Sequence, residues 1–120
     1  MANCVGYDVT EDSICVTLDV ENEDVMAIGA HMNEICDQAY MNGYNWDAFL
    51  TCYLEVNAPE IADAIDTAPE AGMYCAYFNG TDDATKALAK SFKQLIEKLL
   101  NNEEEIYDFL RENTDDIEWD

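Results

Sequence analysis

The stretch Asn42-Gly43-Tyr44-Asn45-Trp46-Asp47-Ala48-Phe49-Leu50-Thr51-Cys52-Tyr53-Leu54 constrains this chain more than any other. Asn42-Gly43 is a turn signal, because glycine reaches positive φ without a steric penalty. Asn45 is then placed to cap a helix by accepting from a free N–H of the first turn. Behind it Trp46, Phe49, Leu50, Tyr53 and Leu54 recur at helical spacing and make one wide apolar face. So much aromatic area in a short helix has to be buried, which puts this helix at the centre of the core. Tyr44 falls in the turn before the cap.

Charge sets the second constraint. The 120 residues carry a formal net charge of −22, yet 49% are hydrophobic, enough for one domain spanning 1–120 to bury a single core. Residues 1–85 contain 17 acids and no lysine or arginine. Lys86, Lys90 and Lys93 share the only basic surface, best read as internal balance, and an acidic C-terminal helix and tail follow over 102–120. Such a field opposes direct binding of nucleic acid, phosphorylated substrates or anionic membranes, and favours basic proteins.

Cys4, Cys15, Cys36, Cys52 and Cys75 are odd in number, lack a C-x-x-C spacing and sit among apolar residues. They read as small buried hydrophobes in a reducing compartment, without disulfide or zinc roles. Met1-Ala2-Asn3-Cys4 has neither a basic nor an apolar signal region, and no apolar run reaches membrane-spanning length, so a cytoplasmic, soluble protein is expected.

In chain order, Val5, Tyr7, Val9 and Ile14, Val16, Leu18, Val20 alternate as the strands of a hairpin. A two-residue loop at Glu11-Asp12 pairs Val9 with Ile14, Tyr7 with Val16 and Val5 with Leu18, all on one face. A wider four-residue turn is the alternative. Asn22 is a candidate cap for a first helix with the stripe Val25, Ile28, Met32, Ile35, Cys36 and Ala39, ending at Asn42-Gly43. His31, the sole histidine, lies beside that stripe as a partly exposed helix residue. After the central helix, Pro59 opens a short helix through Ile61, Ala62 and Ile65. Met73–Phe78 reads as a strand covered on both faces. Thr81 is a candidate cap for a fourth helix, and Asn102 with Glu105 for a last one. The tail ends in Ile117 and Trp119, which an idle tail does not need, so it is expected to fold back or touch a partner. The fold class is α+β: an N-terminal β-hairpin plus a third strand, forming a small antiparallel or mixed sheet packed against four to five helices.

Chemical motifs are missing. The glycines are isolated from any phosphate-loop pattern, there is no H-E-x-x-H or G-x-S-x-G, and Asp19–Asp24 lacks calcium-loop order. No catalytic residue, metal ligand or cofactor is assigned, and a binding protein is expected instead of an enzyme.

Two segments, Asn42-Gly43-Tyr44-Asn45-Trp46 and Pro69-Glu70-Ala71-Gly72-Met73-Tyr74-Cys75-Ala76-Tyr77, carry a resemblance. Over roughly residues 4–100 the chain resembles a family of bacterial immunity proteins from polymorphic toxin systems, the family numbered fifty-one. The family order is likewise hairpin, helix, G-Y-x-W helix, E-A-G-M-aromatic strand, then helices. Ala68 departs from the acid that the family pattern places before Pro69, and the acidic segment after residue 100 lies outside the pattern. The resemblance implies a protein that binds the C-terminal domain of a cognate toxin, contributing to contact-dependent competition between bacteria, with Trp46, Glu70, Gly72 and Met73 serving folding. The acidity adds a basic partner, such as a nuclease; the chain itself is expected to be a monomer or a homodimer. Candidate contacts are Asp8, Glu11 and Asp12 at the hairpin tip, Tyr44 at the turn, and Asp115, Asp116, Glu118 and Trp119 in the tail. The alternative is an acidic DNA-mimic inhibitor of a DNA-binding protein.

Overall fold

The hairpin forms in the computed structural model, which describes residues 4–119, with β1 (Val5–Val9) and β2 (Ser13–Asp19) antiparallel. The register is the two-residue one, Val9 opposite Ile14 and Val5 opposite Leu18. Thr10 N–H donates to the Ser13 carbonyl at 2.9 Å, closing the Glu11-Asp12 loop. Met1–Asn3 and Asp120 lie outside the described residues, and with them most of the segment on which absence of a signal peptide was argued.

Four strands, not three, make the sheet. β3 (Ile65–Thr67) and β4 (Met73–Asn79) join the hairpin in the order β1-β2-β4-β3, antiparallel throughout. Ile65 therefore belongs to a strand, opposite Phe78, and not to the short helix, which is the single turn α3 (Pro59–Ala62). Its i,i+4 spacing from Ile61 imitates a helix, but β-branched Ile65 and Thr67 also suit an edge strand.

Burial alternates along the two inner strands. Ile14, Val16 and Leu18 on β2 and Tyr74, Ala76 and Phe78 on β4 are fully buried beneath the helices. The opposite face carries Cys15, Thr17, Cys75 and Tyr77, with Tyr77 37% exposed, so β4 is only half covered where a strand buried on both faces was expected.

α4 (Asp83–Leu100) crosses β1, β2 and β4, and its Phe92 meets Tyr74 and Phe78 edge-on at 6.3 and 6.1 Å between centroids. α2 (Gly43–Asn57) holds Trp46, Phe49 and Leu50 in the core, as its aromatic face requires. Phe49 and Tyr53 pack on Phe109 of α5 (Glu103–Asn113), which also packs on α1 (Glu23–Ile35).

The helix ends differ from expectation for local reasons. The cap of α2 is Asn42, whose Oδ1 accepts from Asn45 N–H; Asn45 is buried and turns its own amide to the Tyr40 carbonyl at 2.9 Å. Tyr44 is thus in the first helical turn. α1 stops at Ile35 instead of running to Asn42, because Asn33 and Asn45 supply donors to carbonyls of residues 37–40 and hold that segment as a loop. Asp82, not Thr81, caps α4 through Thr85 N–H at 2.8 Å. Asn102 occupies the cap position of α5 without a side-chain bond, and Glu105 accepts from Tyr53 Oη at 3.1 Å instead of closing a capping box.

Gly43 is fixed by contact. A Cβ there would lie 1.7 Å from the Glu70 carbonyl oxygen, and its N–H donates to the Ala71 carbonyl at 2.9 Å. The start of α2 is thereby clamped onto the turn that opens β4.

Candidate functional site

The clamp at Gly43 aims the next residues of α2 outward. Tyr44, Asp47, Ala48, Thr51, Cys52 and Glu55 follow helical spacing and form the face opposite the buried aromatics. Across from this face runs the C-terminal tail. After α5 the chain makes a 3₁₀ turn, Thr114–Asp116, and Ile117 inserts into the core at 5% exposure. That anchor sets Asp116, Glu118 and Trp119 along the other wall of a cleft of about 670 Å³.

Four carboxylates, of Asp47, Glu55, Asp116 and Glu118, line this cleft with two aromatic rings, Tyr44 and Trp119, and no basic side chain. Trp119 is half-buried against the core, and its indole N–H is shielded without an acceptor. Tyr44 is 41% exposed. Asp47 Oδ1 accepts from Thr51 Oγ1 at 3.4 Å, which steadies one wall.

Of the eight candidate contacts, the structure brings together Tyr44, Asp116, Glu118 and Trp119. Asp115 is exposed in the 3₁₀ turn but does not line the cleft. Asp8, Glu11 and Asp12 are exposed at the far end of the sheet: the Asp12 carbonyl meets Gly80 N–H beyond the end of β4, whereas Gly43 abuts its beginning. The length of β4 separates the two ends by about 20 Å. Sequence reasoning missed Asp47, Thr51 and Glu55. Their i, i+4, i+8 spacing on the back of the aromatic helix was the available signal.

The one thiol that lines the cleft is held in its protonated form. Burial pushes the Cys52 thiol up, and Asp116 and Glu55 push it further, so it stays protonated and unreactive. Burial likewise raises Cys15 and Cys75 on the sheet. Cys15, Cys36, Cys52 and Cys75 are free thiols. His31 is exposed on α1 and stacks on Tyr107, with ring centroids 4.3 Å apart. Among the described residues no three Asp, Glu, His or Cys side chains are grouped to hold a metal ion. None of the described helices is long and apolar enough to cross a membrane.

The family model described as immunity protein 51 matches residues 7–115. The chain belongs to this family. Immunity protein 51 is a family of toxin immunity proteins, generally not enzymes, and its match extends beyond the resemblance seen at the two motifs to take in α5. No curated protein and no solved structure matches the chain. Within this immunity protein the two motif segments meet physically: Gly43 of the first and Glu70, Ala71 and Met73 of the second are the residues of the clamp.

Proposed function

We propose that this immunity protein receives the C-terminal domain of its cognate toxin in the cleft between α2 and the tail, in the cytoplasm of the producing cell. Bound there, it occludes the toxin's active site or substrate groove. The observation that carries this reading is the lining of the cleft, four carboxylates and two aromatic rings with no base. Such a surface fits a cationic partner: lysines and arginines steer into it, and an aromatic ring can lie against a guanidinium. A nuclease domain has the matching surface, because it holds phosphates with lysine and arginine. Asp8, Glu11 and Asp12 at the hairpin tip extend the negative field and accelerate encounter, and Asp115 does so beside the cleft.

Co-expression with the C-terminal domain encoded by the adjacent upstream gene tests the reading. Lethality relieved by this chain, with a complex that weakens as salt rises, is the expected result. Replacing Asp47, Glu55, Asp116 and Glu118 together by Asn or Gln should remove protection while the protein stays folded. Toxicity unchanged by the native chain overturns the reading for that neighbour and favours a DNA-mimic role against a DNA-binding protein.

A further inference from the structure

A second surface lies on the other side of Gly43. Where Tyr44 faces the cleft, Asn42 borders a groove of about 330 Å³ between α1, the 39–42 segment and the turn at Ala71. Its lining is almost wholly apolar, chiefly Val20, Met26, Ala30, Ala39, Tyr40 and Met41. Gly29, which lines the groove, allows a close approach of its two walls. A Cβ on Gly29 would lie 2.9 Å from Met41 Cβ, so only glycine lets the 39–42 segment settle this close to α1. Asn33 and Asn45 then hold the segment by its Ala39 and Tyr40 carbonyls.

Two of the large apolar side chains here are costly to leave in water. Tyr40 is 75% exposed and Met26 58%. Neither belongs to the buried core, to which α1 contributes Val25, Ile28 and Met32 and the loop contributes Ala39. Tyrosine and methionine are enriched in protein interfaces, and exposed apolar side chains rimmed by polar ones mark such sites. The rim here has a single sign. Glu21 lines the groove, Glu23 and Glu34 flank its α1 wall at helical spacing, and Asp37 is exposed beside the 39–42 segment. No lysine or arginine lines the groove.

We infer that the groove seats one projecting apolar side chain of the toxin domain, a leucine, methionine or aromatic residue carried on a segment with lysine or arginine on either side. This rests on the toxin-neutralising reading and adds the anchor that the charged cleft lacks. The volume lies at the lower end of the range for ligand pockets, about 300–1,000 Å³, which suits one side chain and its neighbours. The groove offers few converging polar groups for a small polar ligand. A second copy of this chain would set acid against acid at the same surface. Apolar anchors in desolvated pockets supply most of the affinity at an interface, while rim charges set encounter rate and selectivity.

The test is affinity for the upstream-encoded toxin domain, measured on the full chain with the Ala30→Trp and Tyr40→Ala variants. Both positions are exposed, so thermal melts should match the native protein. Ala30→Trp fills the groove and should lower affinity by about 30-fold or more, Tyr40→Ala by about 10-fold. The salt dependence of the remaining binding should be unchanged, because no charge is altered. Native chain and both variants binding within about twofold of one another overturns the groove but leaves the toxin reading standing. A native chain that neither binds nor protects brings down both. Loss of self-association in Ala30→Trp, with toxin binding intact, assigns the groove to a second copy and overturns the inference.

Discussion

The cleft and the groove flank one residue and are built on opposite principles. The cleft is a polar helix face closed by a folded-back tail, and its lining is carboxylate and aromatic. The groove is a place where two backbone segments approach over a missing side chain, and its lining is apolar. Charge at the first surface acts at a distance and is screened by salt; contact at the second acts only after docking. An acidic protein that relied on charge alone would attract basic proteins indiscriminately. On the proposed reading, pairing a charged cleft with a shaped apolar groove supplies the discrimination that charge lacks.

The comparison breaks most completely at Gly43. Asn42 borders the groove, Tyr44 lines the cleft, and the carbonyl oxygens of Glu70 and Met73 leave no room for a Cβ between them. Because the obstacle is backbone, Gly43→Ala should cost about 3 kcal/mol or more and disable both surfaces at once. Urea unfolding gives the stability, and a protection assay gives the function. A variant of near-native stability would show that the 70–73 turn can yield.

Removing only the wall of the cleft is the next largest step. Ile117→Ala takes away the buried anchor of the tail and should cost about 2 kcal/mol, less than a central core truncation if the tail can partly collapse. Trp119 should then redden in fluorescence while Trp46, 2% exposed in the core, does not change. Toxin affinity should fall and lose much of its salt dependence, yet Ala30→Trp should still weaken what remains. If Ala30→Trp has no further effect in that background, the two surfaces are not independent.

How far these surfaces could be read from the sequence follows the same division. Strict alternation fixed the β1–β2 register, and a helical stripe of aromatics fixed the core face of α2, because both are local periodicities that burial enforces. β3 escaped because three residues are too few to show a period, and Ile65 prolongs the spacing of the helix before it. The end of α1 escaped because Asn45, ten residues beyond it, helps to stop it. Glu105 looked like half of a capping box, but a tyrosine 52 positions earlier takes its carboxylate. Tyr44, Asp116, Glu118 and Trp119 could be suspected singly from charge and from an out-of-place tryptophan; that they share a cleft depends on where Ile117 inserts. The groove leaves no trace in the hydrophobic pattern, since its decisive residue is a glycine inside a helix.

Smaller effects separate the rate from the strength of binding. Replacing Glu55 and Glu118 by Gln should slow association several-fold at low salt and reduce its salt dependence, with dissociation little changed. Each rim charge contributes on the order of 0.2–1 kcal/mol. Stopped-flow mixing over a salt series reads this out directly. Ala30→Trp should do the reverse, raising dissociation at constant association. Dissociation rising equally in both variants would erase the distinction between a steering cleft and an anchoring groove.

The smallest effect on binding tests whether α2 can be altered behind both surfaces without disturbing either. Tyr53 faces inward, 7% exposed, and its hydroxyl donates to Glu105 of α5. Burial, then the Glu105 charge, raises the phenol to about 12 from the usual 10. The folded state therefore keeps this proton above pH 10, where the unfolded chain releases it. Its contribution is complete below pH 10 and declines as pH rises through 10 toward 12. Tyr53→Phe keeps the ring on Phe109 and removes the titrating group, so its stability should fall less steeply than the native protein's between pH 10 and 12. Tyr74, raised by burial among the helices, titrates in the same direction in both proteins and leaves the difference intact. Near neutral pH, Tyr53→Phe should lose only the net worth of one hydrogen bond, about 1 kcal/mol, with toxin affinity unchanged. An affinity loss in Tyr53→Phe would mean that the α2–α5 contact reaches the binding surfaces, and neither surface could then be treated as set by its own lining.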